Sequence, residues 1–266
     1  MKLKLRPLLL ATAALLVTIT LAACSTTKQN TTNSTSATLN AGKLTIGLEG
    51  TYAPYSYRKN GQLTGFEVEL GKAIAKEMNL KPVFVQSKWD SLIAGLDSKK
   101  YDLVLNDVAI TAQRQKSYAF TTPYLYSKSV LIVKKGSKIT NVKQIKGKKT
   151  AESLTSNNGA DAKKLGSTIV AIPGFAEAVD LIQSNRVVGA LNSREAFLTY
   201  KKANPKTNLT YIDAGNAIAA QKIAGILSKN KPGLQAKINK VMQNLKKDGT
   251  FAKLSHKYFG DDVTTK

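Results

Sequence analysis

From Lys43 to the end of the chain, short β-branched or aliphatic runs alternate with amphipathic stretches, and this alternation restricts the fold more than any other feature. Short β-branched or aliphatic runs separated by amphipathic, helix-length segments are the pattern of an α/β protein. The strands expected are Leu44–Leu48, Val83–Gln86, Asp102–Leu105, Val130–Val133, Thr168–Ile172, Val187–Leu191 and Ile223–Leu227. Between Phe66 and Met78, residues Phe66, Leu70, Ile74 and Met78 recur every four positions, giving a helix one apolar stripe to lay on a sheet. A second stripe, Leu234, Ile238, Val241, Met242 and Leu245, stops at Asp248-Gly249.

The segment before Lys43 has a different character. Lys2, Lys4 and Arg6 precede an apolar run from Leu8 to Ile19, then small residues and Leu21-Ala22-Ala23-Cys24. A basic start, a short apolar run and small residues read as an export signal, too short for the ~20 residues a membrane-spanning helix needs. Cys24 is the only cysteine of the chain, and Leu-Ala-Ala-Cys resembles the bacterial lipobox, in which the cysteine is acylated and becomes the first residue. That resemblance implies a protein facing the outside of the cell and anchored by lipid (palmitate and its like) at Cys24. Ser25–Asn40, STTKQNTTNSTSATLN, cannot build a core and is expected to be a flexible tether of about 20 to 25 Å.

Without residues 1–23, 243 residues remain, enough for one large domain or two small ones. No internal disulfide is available, so apolar burial must hold the fold. Of 40 basic residues 37 remain against 17 acidic ones, a charge of +20. Such a field attracts anionic lipid and wall polymers. The lysines are scattered, with no arginine-rich run, so a nucleic-acid partner is not expected.

Enzyme signatures are missing. The single histidine, His256, sits in a lysine-rich helical stretch and reads as a surface or packing residue. One cysteine and one histidine make a cysteine–histidine pair or a two-histidine metal site untenable. The phosphate-binding and dinucleotide glycine loops and the nucleophile elbow are absent. Binding without cofactor or metal is the class that remains, and no catalytic residue is assigned.

The most informative internal stretch is Asn106-Asp107-Val108-Ala109-Ile110-Thr111-Ala112-Gln113-Arg114, at the carboxyl end of an expected strand, where open α/β sheets bind ligands. Arg114 could offer a planar fork of donors to a carboxylate; taken alone, such an arginine is more often a surface salt-bridge residue.

LTIGLEGTYAPYSYRKNGQLTGFEVEL at 44–70, then KWDSLIAGL, NDVAITAQR, FTTPY, IKGKK and the terminal KDGTFAKLSHKYFG, resemble the amino-acid solute-binding proteins of ABC importers, family 3. The likeness runs in order across 41–262. Within the family the cystine-binding branch is suggested by Glu49-Gly50-Thr51-Tyr52, by Asn106-Asp107-Val108 and by Pro173-Gly174-Phe175-Ala176-Glu177-Ala178-Val179.

The resemblance implies a periplasmic-binding-protein-like fold, type II: two α/β lobes joined by two crossover strands, with one amino acid in the central cleft. Lobe 1 would be 41–129 plus 222–266, and lobe 2 would be 130–221. By position, Arg114 matches the arginine that clamps the ligand carboxylate, with Ala109 and the backbone near Asp107 beside it. Ser156 and Asn157 would add polar contacts from lobe 2, Tyr52 and Trp89 would sandwich the side chain, and Glu49 and Asp107 would line the same wall. Each also has a plain structural reading: Tyr52 as packing, Trp89 as a helix-entry staple, Ser156 as an N-cap. The partners implied are an amino acid, a membrane permease and the lipid anchor, with the receptor a monomer.

One position departs from the family pattern. An aspartate at the end of a lobe 2 strand ordinarily pairs with the ligand's α-ammonium; here Gly189-Ala190-Leu191-Asn192-Ser193 puts Ser193 in its place, followed by Arg194. A hydroxyl brings no charge. Three outcomes are open: Glu49, Asp107 or Glu195 supplies the charge, the ligand has no free α-ammonium, or binding has been lost. The first is preferred, because Glu49 and Asp107 are expected to face the cleft. The loss of that aspartate also leaves room for another class of function, a surface adhesin or wall-associated protein that holds anionic polymers through its basic charge and weakens as salt rises.

Overall fold

The computed structural model describes residues 37–265. The export signal, Cys24 and the tether up to residue 36 lie outside them. Residues 37–40, read from the sequence as the end of the tether, are held to the globule. The Leu39 N–H donates to Asp102 Oδ1 at 2.6 Å, and Lys231 Nζ donates to the Ala37 carbonyl. Among the described residues no helix is long and apolar enough to cross a membrane.

Among the described residues two larger sheets, of five and three strands, organise the fold, beside smaller two-stranded pairs. The first has five strands in the order Lys81–Gln86, Lys43–Leu48, Leu103–Val104, Ile226–Ser228, Tyr118–Phe120. Lys43–Leu48 is buried at every position but Lys43, because parallel neighbours flank it on both sides, Ile46 standing opposite Phe84 and Leu103. Parallel pairing requires a crossover, supplied by helix Phe66–Glu77, which buries Phe66, Leu70 and Ile74. The chain enters that helix through Gly65, at φ 131°, where a Cβ would lie 2.2 Å from the Tyr55 carbonyl oxygen. Helices Pro232–Lys247 and Thr250–Phe259 complete this core, separated at Gly249 with φ 80°, where Asp248-Gly249 ends the apolar stripe.

The second sheet is antiparallel, Ala190–Ser193, Ser129–Lys134, Leu209–Asp213, with Lys149–Glu152 and Thr168–Ala171 as a parallel pair beside it. Its helices include Asn157–Lys164, Phe175–Gln183 and Arg194–Ala203. Two strands carry the chain between the sheets. Leu125–Ser127 leads into Ser129–Lys134, Gln221–Ile223 leads back to Ile226–Ser228, and the two pair antiparallel with Gln221 opposite Ser127.

Two expected strands are displaced. Ile223–Leu227 is split, because Gly225 turns away to exchange hydrogen bonds with Thr121, and a Cβ there would meet Leu103 at 2.8 Å. Val187–Leu191 gives way to Ala190–Ser193, because Val188 and Gly189 pair with the neighbouring Lys149–Glu152 strand instead. The type II two-lobed α/β architecture is the one expected.

Candidate functional site

A cavity lies between the two sheets. Glu49, Tyr52, Trp89, Asp107, Ser156, Asn157 and Ser193, each a candidate from the sequence, line it together. Arg114 and Ala109 do not; they stand behind the wall.

The first-lobe wall is made by strand ends. Asn106 and Asp107 follow strand Leu103–Val104, and Asp107 takes the left-handed conformation, φ 50°, which Asn and Asp tolerate better than most residues. Asn106 clamps Glu49, accepting from its N–H at 2.8 Å and donating to Glu49 Oε2 at 2.6 Å. The Asp107 N–H donates to Glu67 Oε1 at 2.7 Å. The turn is thus fixed from both sides and sets Asp107 in the cavity wall.

Burial controls the charges there. Desolvation raises Glu49 and Glu67 from 4.5 to about 7 despite their hydrogen bonds, and raises Asp107 well above its ordinary value, with Glu67 and Glu195 adding like-charge repulsion. Asp107 Oδ1 and Glu67 Oε2 are buried with no hydrogen-bond partner among the described residues.

The two lobes touch across the cavity. Tyr52 Oη donates to Asn192 Oδ1 at 2.5 Å, and Tyr55 Oη donates to Ser193 Oγ at 3.1 Å. Asp90 Oδ1 accepts from Ser153 and Thr155 at 2.7 and 2.8 Å. Arg114 lies over the Trp89 ring, 5.3 Å from its centroid, a cation–π distance. Its guanidinium donates to the carbonyls of Ala109 at 2.9 Å and Thr155 at 3.2 Å, so it bridges the lobes through backbone rather than projecting from the cavity wall. Burial lowers it to about 10, which leaves it charged at neutral pH.

The plain structural readings also hold in part. Ser156 caps helix Asn157–Lys164, its Oγ accepting from the Gly159 N–H, and still reaches the cavity. Trp89 opens a short helix, and its Nε1 has no partner among the described residues. Ser193 caps helix Arg194–Ala203. Glu195, the third candidate for the charge, is engaged by Ser127 Oγ at 3.0 Å and is absent from the cavity walls.

Several wall residues went unassigned in the sequence. Phe175 meets the edge of Tyr52, 6.5 Å between ring centroids, and Asn192 takes its hydroxyl. Both lie inside segments singled out above, Pro173–Val179 and Gly189–Ser193, so the signal was present without a role. Ser127 and Gln221 come from the linking strands, whose pairing no local pattern announces. Among the described residues no group of three His, Cys, Asp or Glu is placed to hold a metal.

The fold and cavity have relatives. The model of the bacterial extracellular solute-binding proteins, family 3, matches residues 44–261. The L-cystine-binding protein TcyA of Bacillus subtilis is 36% identical over 226 residues, covering 84% of this chain and 83% of that protein. An ancestral arginine-binding protein bound to arginine superposes with a TM-score of 0.77 at 32% identity, covering 82% of this chain and 99% of the other. The L-cystine solute receptor of Neisseria gonorrhoeae, unliganded and open, gives 0.59 at the higher identity of 36%, covering 88% and 98%. This chain belongs to the bacterial extracellular solute-binding proteins, family 3.

Proposed function

We propose that this protein is the receptor of an ABC importer, capturing a polar amino acid, cystine foremost, and presenting it to a membrane permease. The observation that carries the reading is a cavity walled by both lobes, with hydrogen bonds from each lobe to the other around its rim. A ligand that touches both walls favours the closed arrangement by its differential affinity for it, and closure is the signal a permease can read. Lobe 1 is assigned 41–129 plus 222–266 and lobe 2 130–221. Arg114 is the carboxylate partner, reached when its Thr155 contact is exchanged for the ligand.

Isothermal titration with L-cystine and a panel of amino acids tests the reading. Saturable binding at micromolar concentrations is expected, about 8 kcal/mol, and it should change little between low and high salt because the site is enclosed. No binding to any carboxylate-bearing ligand would overturn it. Acylation of Cys24 would hold the monomeric receptor on the outer face of the cell membrane. In fractionated cells a Cys24→Ser variant should leave the membrane pellet, and its retention there would argue against the anchor.

A further inference from the structure

Resting on that reading, we propose that the ligand's α-ammonium is held by Asp107, a lobe 1 carboxylate, so that the charge missing at Ser193 has moved across the cleft. Ser193 itself is occupied: its Oγ accepts from the Ala196 N–H and from Tyr55 Oη, and the residue is 5% exposed. The neighbouring Asn192 Oδ1 is filled by the Tyr52 hydroxyl and by the Ser193 N–H. Lobe 2 therefore offers neutral groups to the ligand.

Asp107 is the opposite case. Asp107 lines the cavity, its Oδ1 is buried with no partner among the described residues, and the carboxylate is approached by the Tyr55 hydroxyl, whose proton goes to Ser193 Oγ, and on Oδ2 by the Tyr52 hydroxyl at 3.4 Å. That hydroxyl has one proton, and Asn192 at 2.5 Å is the better acceptor for it. A buried carboxylate oxygen left without a donor calls for a group that supplies one, and an ammonium brings both donors and charge. Its repulsion from Glu67 and Glu195 would be relieved by the same cation. The two competitors each already have a side-chain donor, Glu49 from Asn106 and Glu195 from Ser127. Carboxylate recognition by Arg114 and ammonium recognition by Asp107 then reside in one lobe. Lobe 1 can select the zwitterion before closure, and lobe 2 adds neutral contacts afterwards.

The test compares L-cystine with dithiodipropionate, the same disulfide diacid without its amino groups, by titration calorimetry. The wild type should prefer cystine by about 30-fold or more. Asp107→Asn, an amide that keeps the left-handed turn, should erase that preference, and adding Ser193→Asp to it should restore about tenfold or more. Asp is as good an N-cap as Ser and can still accept from Tyr55, so the double variant should fold. A preference unchanged in Asp107→Asn, or one abolished by Glu49→Gln or Glu195→Gln alone, overturns the inference while the receptor function stands. A wild type that binds neither compound overturns the receptor reading and this inference with it.

Discussion

Arg114→Ala is expected to weaken amino-acid binding by about 30-fold to several thousand-fold, the 2 to 5 kcal/mol lost when one partner of a buried charge pair is removed. Two separate effects contribute. The ligand carboxylate loses its bidentate, charge-assisted donors, and the wall behind Trp89 loses the cation stacked on its ring at 5.3 Å. Arg114→Lys should recover only part of the loss, because an ammonium cannot reproduce the planar fork. Titration of both variants, with circular dichroism to verify the fold, checks this. Affinity equal to the wild type in Arg114→Ala would show that Arg114 is a structural bridge between lobes and no more.

The second large effect concerns pH. Glu67 is fully buried on helix Phe66–Glu77, its Oε1 accepting from Tyr124 Oη and from the Asp107 N–H. Burial raises it from 4.5 to about 7. Between those two values the folded chain holds a proton that the unfolded chain has released, so stability falls as pH rises through this window and the cost is complete above pH 7. The shift corresponds to about 3 kcal/mol. Glu49, also raised to about 7, should add a smaller share in the same direction, because it is partly exposed at the cavity. The melting temperature should therefore drop between pH 5 and pH 8, and Glu67→Gln should flatten that drop while changing little at pH 5. A Glu67→Gln variant as pH-sensitive as the wild type would contradict the assignment.

Much of this was legible in the sequence, for identifiable reasons. Lys43–Leu48 and helix Phe66–Glu77 each carry a strong period, and tertiary packing agrees with it. The two linking strands and Leu209–Asp213 were not legible, because three to five half-buried residues carry too little pattern. Gly225 broke an apolar run that looked continuous, since the run records burial and not the direction of the backbone. In the site, position along the motif brought seven candidates to one cavity, but it could not show that Arg114 would turn to carbonyls or that Asn192 would meet Tyr52 across 140 residues. The vacancy of charge at Ser193 was visible at once; its counterpart at Asp107 needed the hydrogen bonds, which show which carboxylates are already engaged.

The central claim, capture of a zwitterion between Arg114 and Asp107, is tested most directly by a crystal structure of the protein with L-cystine. The ligand should lie in the cavity between the lobes, one carboxylate about 3 Å from the Arg114 guanidinium and the adjoining ammonium about 3 Å from Asp107 Oδ1. An ammonium placed instead against Glu49 or Glu195, or a ligand bound outside this cavity, would contradict it.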